Sequence, residues 1–221
     1  MDRGYLVAFC GMDGCGKSRM IRELSNENFW GEKFTLLRHP PDEWFENPKI
    51  MAAYLDGEGE PISDTEEVEF VAQLREQKQP EILKKIENGE NVIFHRYIFS
   101  LFTYYAGSMT LDQEWIRSKM DELVLPDTVI YLRLSEKEFY RRNAVRFTFQ
   151  NDRDTIRRII KCYDDLAAQY NWVVIDADVD DVPGKVEKCK AAIRNLDLTK
   201  KLETFGSIKN KQNGGNENEK V

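Results

Sequence analysis

Five short apolar runs punctuate the chain: Tyr5–Cys10, Phe34–Leu37, Asn91–Phe94, Thr128–Leu134 and Trp172–Ile175. Each is rich in β-branched or aromatic residues, and the hydrophobicity is continuous rather than alternating, the pattern of strands covered on both faces. Between the last two runs, Ile156, Ile159, Ile160, Tyr163, Leu166, Ala167 and Tyr170 recur at helical spacing and make one apolar stripe. Val68, Val71 and Leu74, followed by Ile82, Leu83 and Ile86, predict a long helix near Asp64–Asn88. Strands alternating with helices predict an α/β fold, a five-stranded parallel sheet flanked by helices. Ligands of such sheets bind beyond the carboxyl ends of the strands, so the residues just after each run carry the most functional weight. From Leu198 the periodicity ends and Lys, Asn and Gly dominate, so the expectation is one domain over 1–197 and a disordered tail over 198–221.

The 221 residues carry 32 Lys and Arg against 39 Asp and Glu, a formal charge of −7, with 41% hydrophobic side chains. That size suits a single domain. No window approaches the roughly 18 uninterrupted apolar residues of a membrane span. Met1-Asp2-Arg3-Gly4 leads straight into a short apolar run, unlike a signal peptide, so the expectation is a cytoplasmic protein without membrane contact. Net acidity disfavours nucleic acid as a partner, because neutralising phosphates takes a basic surface. Cys10, Cys15, Cys162 and Cys189 form no C-x-x-C pair and stand beside only two histidines, His39 and His95, which argues against zinc and disulfides. Cys10 reads as a small buried hydrophobe and Cys15 as a loop thiol that solvent can reach.

The strongest motif follows the first run. Gly11-Met12-Asp13-Gly14-Cys15-Gly16-Lys17-Ser18 satisfies G-x-x-x-x-G-K-[ST], with a buried strand leading in and a helical segment, Lys17–Leu24, leading out. In such a loop glycines let backbone amides turn inward around phosphate oxygens, the helix N-terminus adds partial positive charge, the lysine reaches the β/γ-phosphates and the hydroxyl ligates Mg²⁺. Gly11, Asp13, Gly14, Cys15, Gly16, Lys17 and Ser18 are therefore the candidate ATP-binding residues, with Ser18 the metal ligand. The loop does not choose the reaction, since ATPases, GTPases, kinases and motors all use it.

The other strand ends narrow the choice. Arg38-His39-Pro40-Pro41 follows the second run, His95-Arg96-Tyr97-Ile98-Phe99-Ser100 the third and Asp176-Ala177 the fifth. Arg38 and Arg96 thus stand at the rim where phosphates lie, and planar guanidinium groups capture phosphate in bidentate fashion. Between residues 141 and 161, seven positive residues face only Asp152 and Asp154. Arg157, Arg158 and Lys161 read as a solvated helix face. Arg142 and Arg146 flank a non-periodic stretch that could close over polyphosphate, a small lid near 141–153.

In this ordered set the chain resembles the thymidylate kinases, within the P-loop nucleoside monophosphate kinases. The P-loop with its internal acid, Arg38 and Pro40, Arg75 followed by Pro80, Arg96-Tyr97 with Ser100, Leu125-Pro126-Asp127, Arg142, Tyr163 and Ile175-Asp176-Ala177 carry the match over roughly residues 5–195. The resemblance implies a P-loop kinase fold and transfer of the γ-phosphoryl group of ATP, with Mg²⁺, to a deoxynucleoside 5′-monophosphate, dTMP above all. It further implies that Asp13 contacts the acceptor sugar, Arg38 and Arg96 its phosphate, Arg75 its base and Tyr104 the space beside the 2′ position, with Ser100 in the same site. Lys17, Arg96, Arg142 and Arg146 would supply the catalytic charge, a lid arginine being needed because Gly14 stands where some members carry an arginine. A homodimer is also implied.

Two positions depart from the family pattern. His95 replaces an acid that organises the metal and its waters. Val71 occupies the place of a base-stacking aromatic, so either Phe70 substitutes or the base is not thymine. A deoxynucleoside kinase, a kinase of a modified or DNA-borne nucleotide, and an inactive nucleotide binder remain as alternatives.

Overall fold

The computed structural model describes residues 3–31, 33–54, 60–105, 111–143 and 153–196. The elements run β1 (Leu6–Cys10), α1 (Lys17–Asn26), β2 (Phe34–Arg38), a 3-10 turn (Asp42–Glu46), α2 (Pro48–Tyr54), α3 (Asp64–Glu87), β3 (Asn91–His95), α4 (Phe99–Tyr105), α5 (Gln113–Asp121), β4 (Thr128–Arg133), α6 (Glu136–Arg142), α7 (Arg153–Gln169) and β5 (Val173–Asp176). A last helix, α8, covers 182–196. The five strands form one sheet in the order β2-β3-β1-β4-β5, every pairing parallel. All five apolar runs are strands, each within a residue or two of its expected bounds, and both periodic stretches are helices.

The register places the functional segments side by side. Phe9 pairs with His95, Cys10 with Tyr131 and Arg38 with His95, so the ends of β1, β2 and β3 form one rim. β1 lies at the centre and all five of its residues are buried, as its unbroken hydrophobicity demands. The outer strands differ from expectation. Leu36 on β2 is 51% exposed and Val174 on β5 is 50% exposed, although both runs are as continuously apolar as β1. An outer strand has a neighbour on one side alone, and here one face of each is left to solvent.

Local chemistry sets the helix that walls the site. The Ser63 hydroxyl accepts from the Glu66 amide, and the Glu66 carboxylate accepts from the Ser63 amide in return, a capping box that starts α3. On the same face of the sheet, Tyr163 of α7 is fully buried and stacks on Tyr131 of β4 with ring centroids 5.3 Å apart. That contact carries the Tyr163 hydroxyl to the end of β3.

Ile130, the residue before Tyr131 on β4, is completely buried. Ile130→Ala should cost about 2–5 kcal/mol in urea unfolding. A loss below about 1 kcal/mol would contradict this description of the core.

Candidate active site

The glycine-rich loop leaves β1 with Gly11 at φ +133°, where a Cβ would sit 2.6 Å from the Leu132 carbonyl oxygen, so only glycine fits. The loop ends on Gly16, the left-handed cap of α1. Inside it Lys17 is only 4% exposed, and its Nζ donates to the Gly11 and Met12 carbonyl oxygens, both at 2.9 Å. Burial, reinforced by the nearby Arg96, pulls the lysine pKa below its ordinary value. Cys15, expected to reach solvent, is instead buried beneath the loop with its sulfur 3.5 Å from Lys17 Nζ. The backbone turns it inward, which its spacing in the sequence does not reveal. Cys10 is also buried, and desolvation pushes its thiol up to about 12, so it is inert as a nucleophile.

Arg96 follows β3 with φ +68°, a conformation that costs energy for a non-glycine residue and is kept only when its surroundings over-determine it. They do so here. Its Nη2 donates to Asp13 Oδ1 at 2.7 Å, and its guanidinium lies 5.3 Å from the Tyr104 ring centroid. Tyr163 brings its hydroxyl to 3.5 Å from Nη1 and 3.0 Å from Ser100 Oγ. P-loop, α4 and α7 therefore all meet on one buried guanidinium. Burial alone would raise the Asp13 pKa, but Arg96 and Lys17 outweigh it and hold the carboxyl below its usual range, ionised at neutral pH.

His95 stands beside this pair with Nε2 3.0 Å from Ser18 Oγ. Burial first, then Lys17 and Arg96, lower its pKa to about 4, so the imidazole is neutral at pH 7. Among the described residues no group of three or more His, Cys, Asp and Glu could hold a metal. A hydroxyl with an imidazole beside it nevertheless fits a divalent ion that draws its remaining ligands from phosphate oxygens and water.

A cleft of about 510 Å³ opens from this point, lined by Asp13, Arg96, Ser100 and Tyr104 as the sequence suggests. Three other expected residues are not on it. Arg38 pairs with Asp42, lies 4.4 Å from the Phe45 ring centroid, and faces a neighbouring groove of about 750 Å³ shared with Ser18, His95 and Arg75. Arg75 is buried: its Nη2 donates to the Arg38 carbonyl and its Nε to His39 Nδ1 at 3.3 Å, so it braces the segment after β2. Desolvation lowers its pKa to about 10. Phe70 lines neither space, whereas its neighbour Val71 reaches the cleft, as do Asp64 and Glu67 of the same helix. One step along a helix turns a side chain by about 100°, which decides between Phe70 and Val71.

The lid falls mostly on 144–152, and with it Arg146, outside the described residues. Arg142 approaches the loop from behind. It donates to the carbonyls of Gly14 at 3.2 Å, Ala177 at 2.8 Å and Asp178 at 3.3 Å, and Asn143 Nδ2 donates to the Asp13 carbonyl at 3.1 Å. In this state Arg142 clamps the P-loop to the segment after β5. Arg157 and Lys161 form exposed ion pairs with Glu136 and Asp165, as a solvated face should. Arg158 does not keep to that face: it lines the cleft. The cleft also holds Trp44, Phe45, Tyr54, Glu67 and Tyr105, none of which the sequence singles out. The only local signal was the aromatic pair Trp44-Phe45, just beyond Pro40-Pro41.

A family model described as thymidylate kinase matches residues 9–182, a span that includes the P-loop, the Arg96 segment and α7. The chain belongs to the thymidylate kinase family. The thymidylate kinase of Homo sapiens is 26% identical over 178 residues, covering 79% of this chain and 83% of the human protein. That of Plasmodium falciparum is 24% identical over 192 residues, 84% of this chain and 89% of its own length. A putative thymidylate kinase, 251L, of Invertebrate iridescent virus 6 is 27% identical over 178 residues, 80% and 83% of the two chains. Membership in the thymidylate kinase family makes the chain a nucleoside monophosphate kinase, and the parallel sheet with its loop at the end of β1 is the corresponding P-loop kinase fold.

One consequence of the packing is a stability that depends on pH. His39 is buried against Arg75, and burial followed by the charges of Arg75 and Arg96 holds its pKa well below the usual value. In the unfolded chain it protonates at about 6.5. The unfolded state therefore binds the extra proton, and the contribution of His39 to stability, present above that pH, is lost as pH falls. The urea midpoint should drop between about pH 7 and pH 5, and drop less in His39→Gln. Equal drops in the two proteins would contradict the assignment.

Proposed function

We propose that the protein transfers the γ-phosphoryl group of ATP to a deoxynucleoside 5′-monophosphate, dTMP being the acceptor that the names of its relatives indicate. The observation that carries this reading is Asp13 of the P-loop paired with Arg96 in the wall of one cleft, with Lys17 buried in the same loop, so that a phosphate-binding loop and an acceptor-sized space share a single wall. An oxygen of the acceptor phosphate attacks the γ-phosphorus, the bond from that phosphorus to the β–γ bridging oxygen breaks, and ADP leaves with the electron pair. The attacking oxygen is already anionic, so the site needs position and countercharge rather than a base.

Each residue then has a task. The amides of Gly11–Ser18 hold the donor phosphates, and Lys17 exchanges its loop carbonyls for phosphate oxygens. Ser18 holds Mg²⁺, which neutralises charge on the donor phosphates when bound. Arg96, oriented by Asp13, takes the acceptor phosphate, with Ser100 and Tyr104 beside the sugar. Arg142 and Arg146 would bring lid charge to the transferring group, Arg142 by giving up its carbonyl partners on the P-loop. Arg38 can serve the acceptor only by leaving Asp42. Arg75 acts by bracing the segment after β2, and Phe70 takes no part in stacking. The same reading includes a cytoplasmic homodimer, which sedimentation of the full chain tests. Among the described residues no helix is long and apolar enough to cross a membrane.

A coupled ADP-release assay across the common nucleoside monophosphates should show turnover with dTMP and far less with thymidine. Thymidine turned over faster than dTMP would overturn the assignment of a phosphate-bearing acceptor. Lys17→Ala should lower kcat by about 10²-fold or more with an unchanged circular dichroism spectrum. Near-normal activity would contradict the role given to the loop. His95→Asp should raise activity with Mg²⁺, since a carboxylate suits that ion better than an imidazole does. A fall in activity would show that the imidazole serves this site as it stands.

A further inference from the structure

Glu67 is an unusual member of the cleft wall, a carboxylate only 6% exposed on a helix whose other buried positions are mostly apolar. Its Oε1 accepts from Trp44 Nε1 at 2.8 Å, and its Oε2 accepts from the hydroxyls of Tyr54 and Tyr105, each at 2.6 Å. The three donors come from the 3-10 turn, the last residue of α2 and the last residue of α4. All four residues line the same cleft. One carboxylate on α3 therefore gathers three separate segments into one wall.

Two exposed ion pairs also join 42–54 to α3, Lys49 with Glu66 and Lys78 with Glu43, and such pairs contribute little. Buried hydrogen bonds to a carboxylate contribute more, and removing it would take the shared acceptor from the Trp44 indole N–H and from the Tyr54 and Tyr105 hydroxyls, which also hydrogen-bond each other. Because those groups are engaged by Glu67, the rings are held as surfaces. Trp44 lies 4.8 Å from Phe45 and 5.4 Å from Tyr54 between ring centroids. Val71, one turn beyond Glu67 on α3, reaches the cleft without a ring, so the flat surface offered to a base comes from the wall that Glu67 assembles.

We propose that Glu67 is the positioning residue of the acceptor site: its carboxylate fixes Trp44, Tyr54 and Tyr105 as the surface on which the base of the monophosphate rests. Acceptor affinity depends on it, and ATP affinity does not. This inference rests on the kinase reading above. The test is calorimetric titration of dTMP and of ATP into the full-length wild type, Glu67→Ala, Glu67→Gln and the Tyr54→Phe/Tyr105→Phe double variant, with KM for both substrates.

Glu67→Ala should raise Kd and KM for dTMP by about tenfold or more while those for ATP stay within about twofold. Glu67→Gln, which keeps one acceptor oxygen, should recover much of that loss. The double variant should fall between it and the wild type. A folded Glu67→Ala with unchanged dTMP affinity, or with equal losses for dTMP and ATP, overturns the inference. If Glu67→Ala does not fold, the two volume-conserving variants decide, and unchanged dTMP affinity in both overturns it. A wild type that binds ATP but no nucleoside monophosphate overturns the kinase reading itself, and this inference with it.

Discussion

Burying two cations, Lys17 and Arg96, at the adjoining ends of β1 and β3 is the constraint on which the rest of the site depends. A charge taken out of water survives only where the protein replaces its hydration. For Lys17 the replacement is the pair of carbonyls from its own loop, which requires the glycine geometry at Gly11 and Gly16. For Arg96 it is the Asp13 carboxylate, the face of Tyr104 and the hydroxyl of Tyr163, which together keep the residue in a left-handed conformation. Burial, and after it the charge of Arg96, lowers the pKa of Lys17. An arriving phosphate supplies the missing countercharge at the point where it is most needed, in a setting arranged before the ligand comes.

The residues around this pair divide into those that touch the cleft and those that hold it in shape. Arg75 and His39 brace the turn after β2, Arg142 and Asn143 clamp the P-loop from outside, and Tyr163 carries support from α7 to Arg96 and Ser100. Basic side chains that look equivalent along the chain thus do different work. Arg96 faces the cleft, Arg75 is structural, and Arg38 faces a second groove through its pairing with Asp42. Arg158 illustrates the reverse, a residue on a polar helix face that the packing of α7 brings to the cleft.

What the chain reveals before folding follows the range of the interactions involved. The strands were legible because burial on two faces writes itself as continuous hydrophobicity, and the P-loop because its chemistry is confined to eight consecutive residues. The exposure of Leu36 and Val174 was not legible, since it depends on strand order rather than on the strands themselves. The three aromatic donors lie 23, 13 and 38 positions from Glu67 and share no motif with it, so only the packing of the 3-10 turn, α2, α3 and α4 brings them together. The choice of Val71 over Phe70 turns on the rotation of α3, which its weak apolar periodicity does not settle.

A formal charge of −7 describes the whole chain and hides a rim of opposite sign, where Arg96 and Arg158 line the cleft and Lys17 and Arg142 are held by carbonyls of the adjoining P-loop. The central claim is that this rim moves a phosphoryl group from one nucleotide to another. The most direct measurement is ³¹P NMR of the protein mixed with ATP, Mg²⁺ and dTMP. The account predicts that resonances of dTDP and ADP grow together at equal rates while inorganic phosphate stays low. Growth of inorganic phosphate and ADP without dTDP would contradict it.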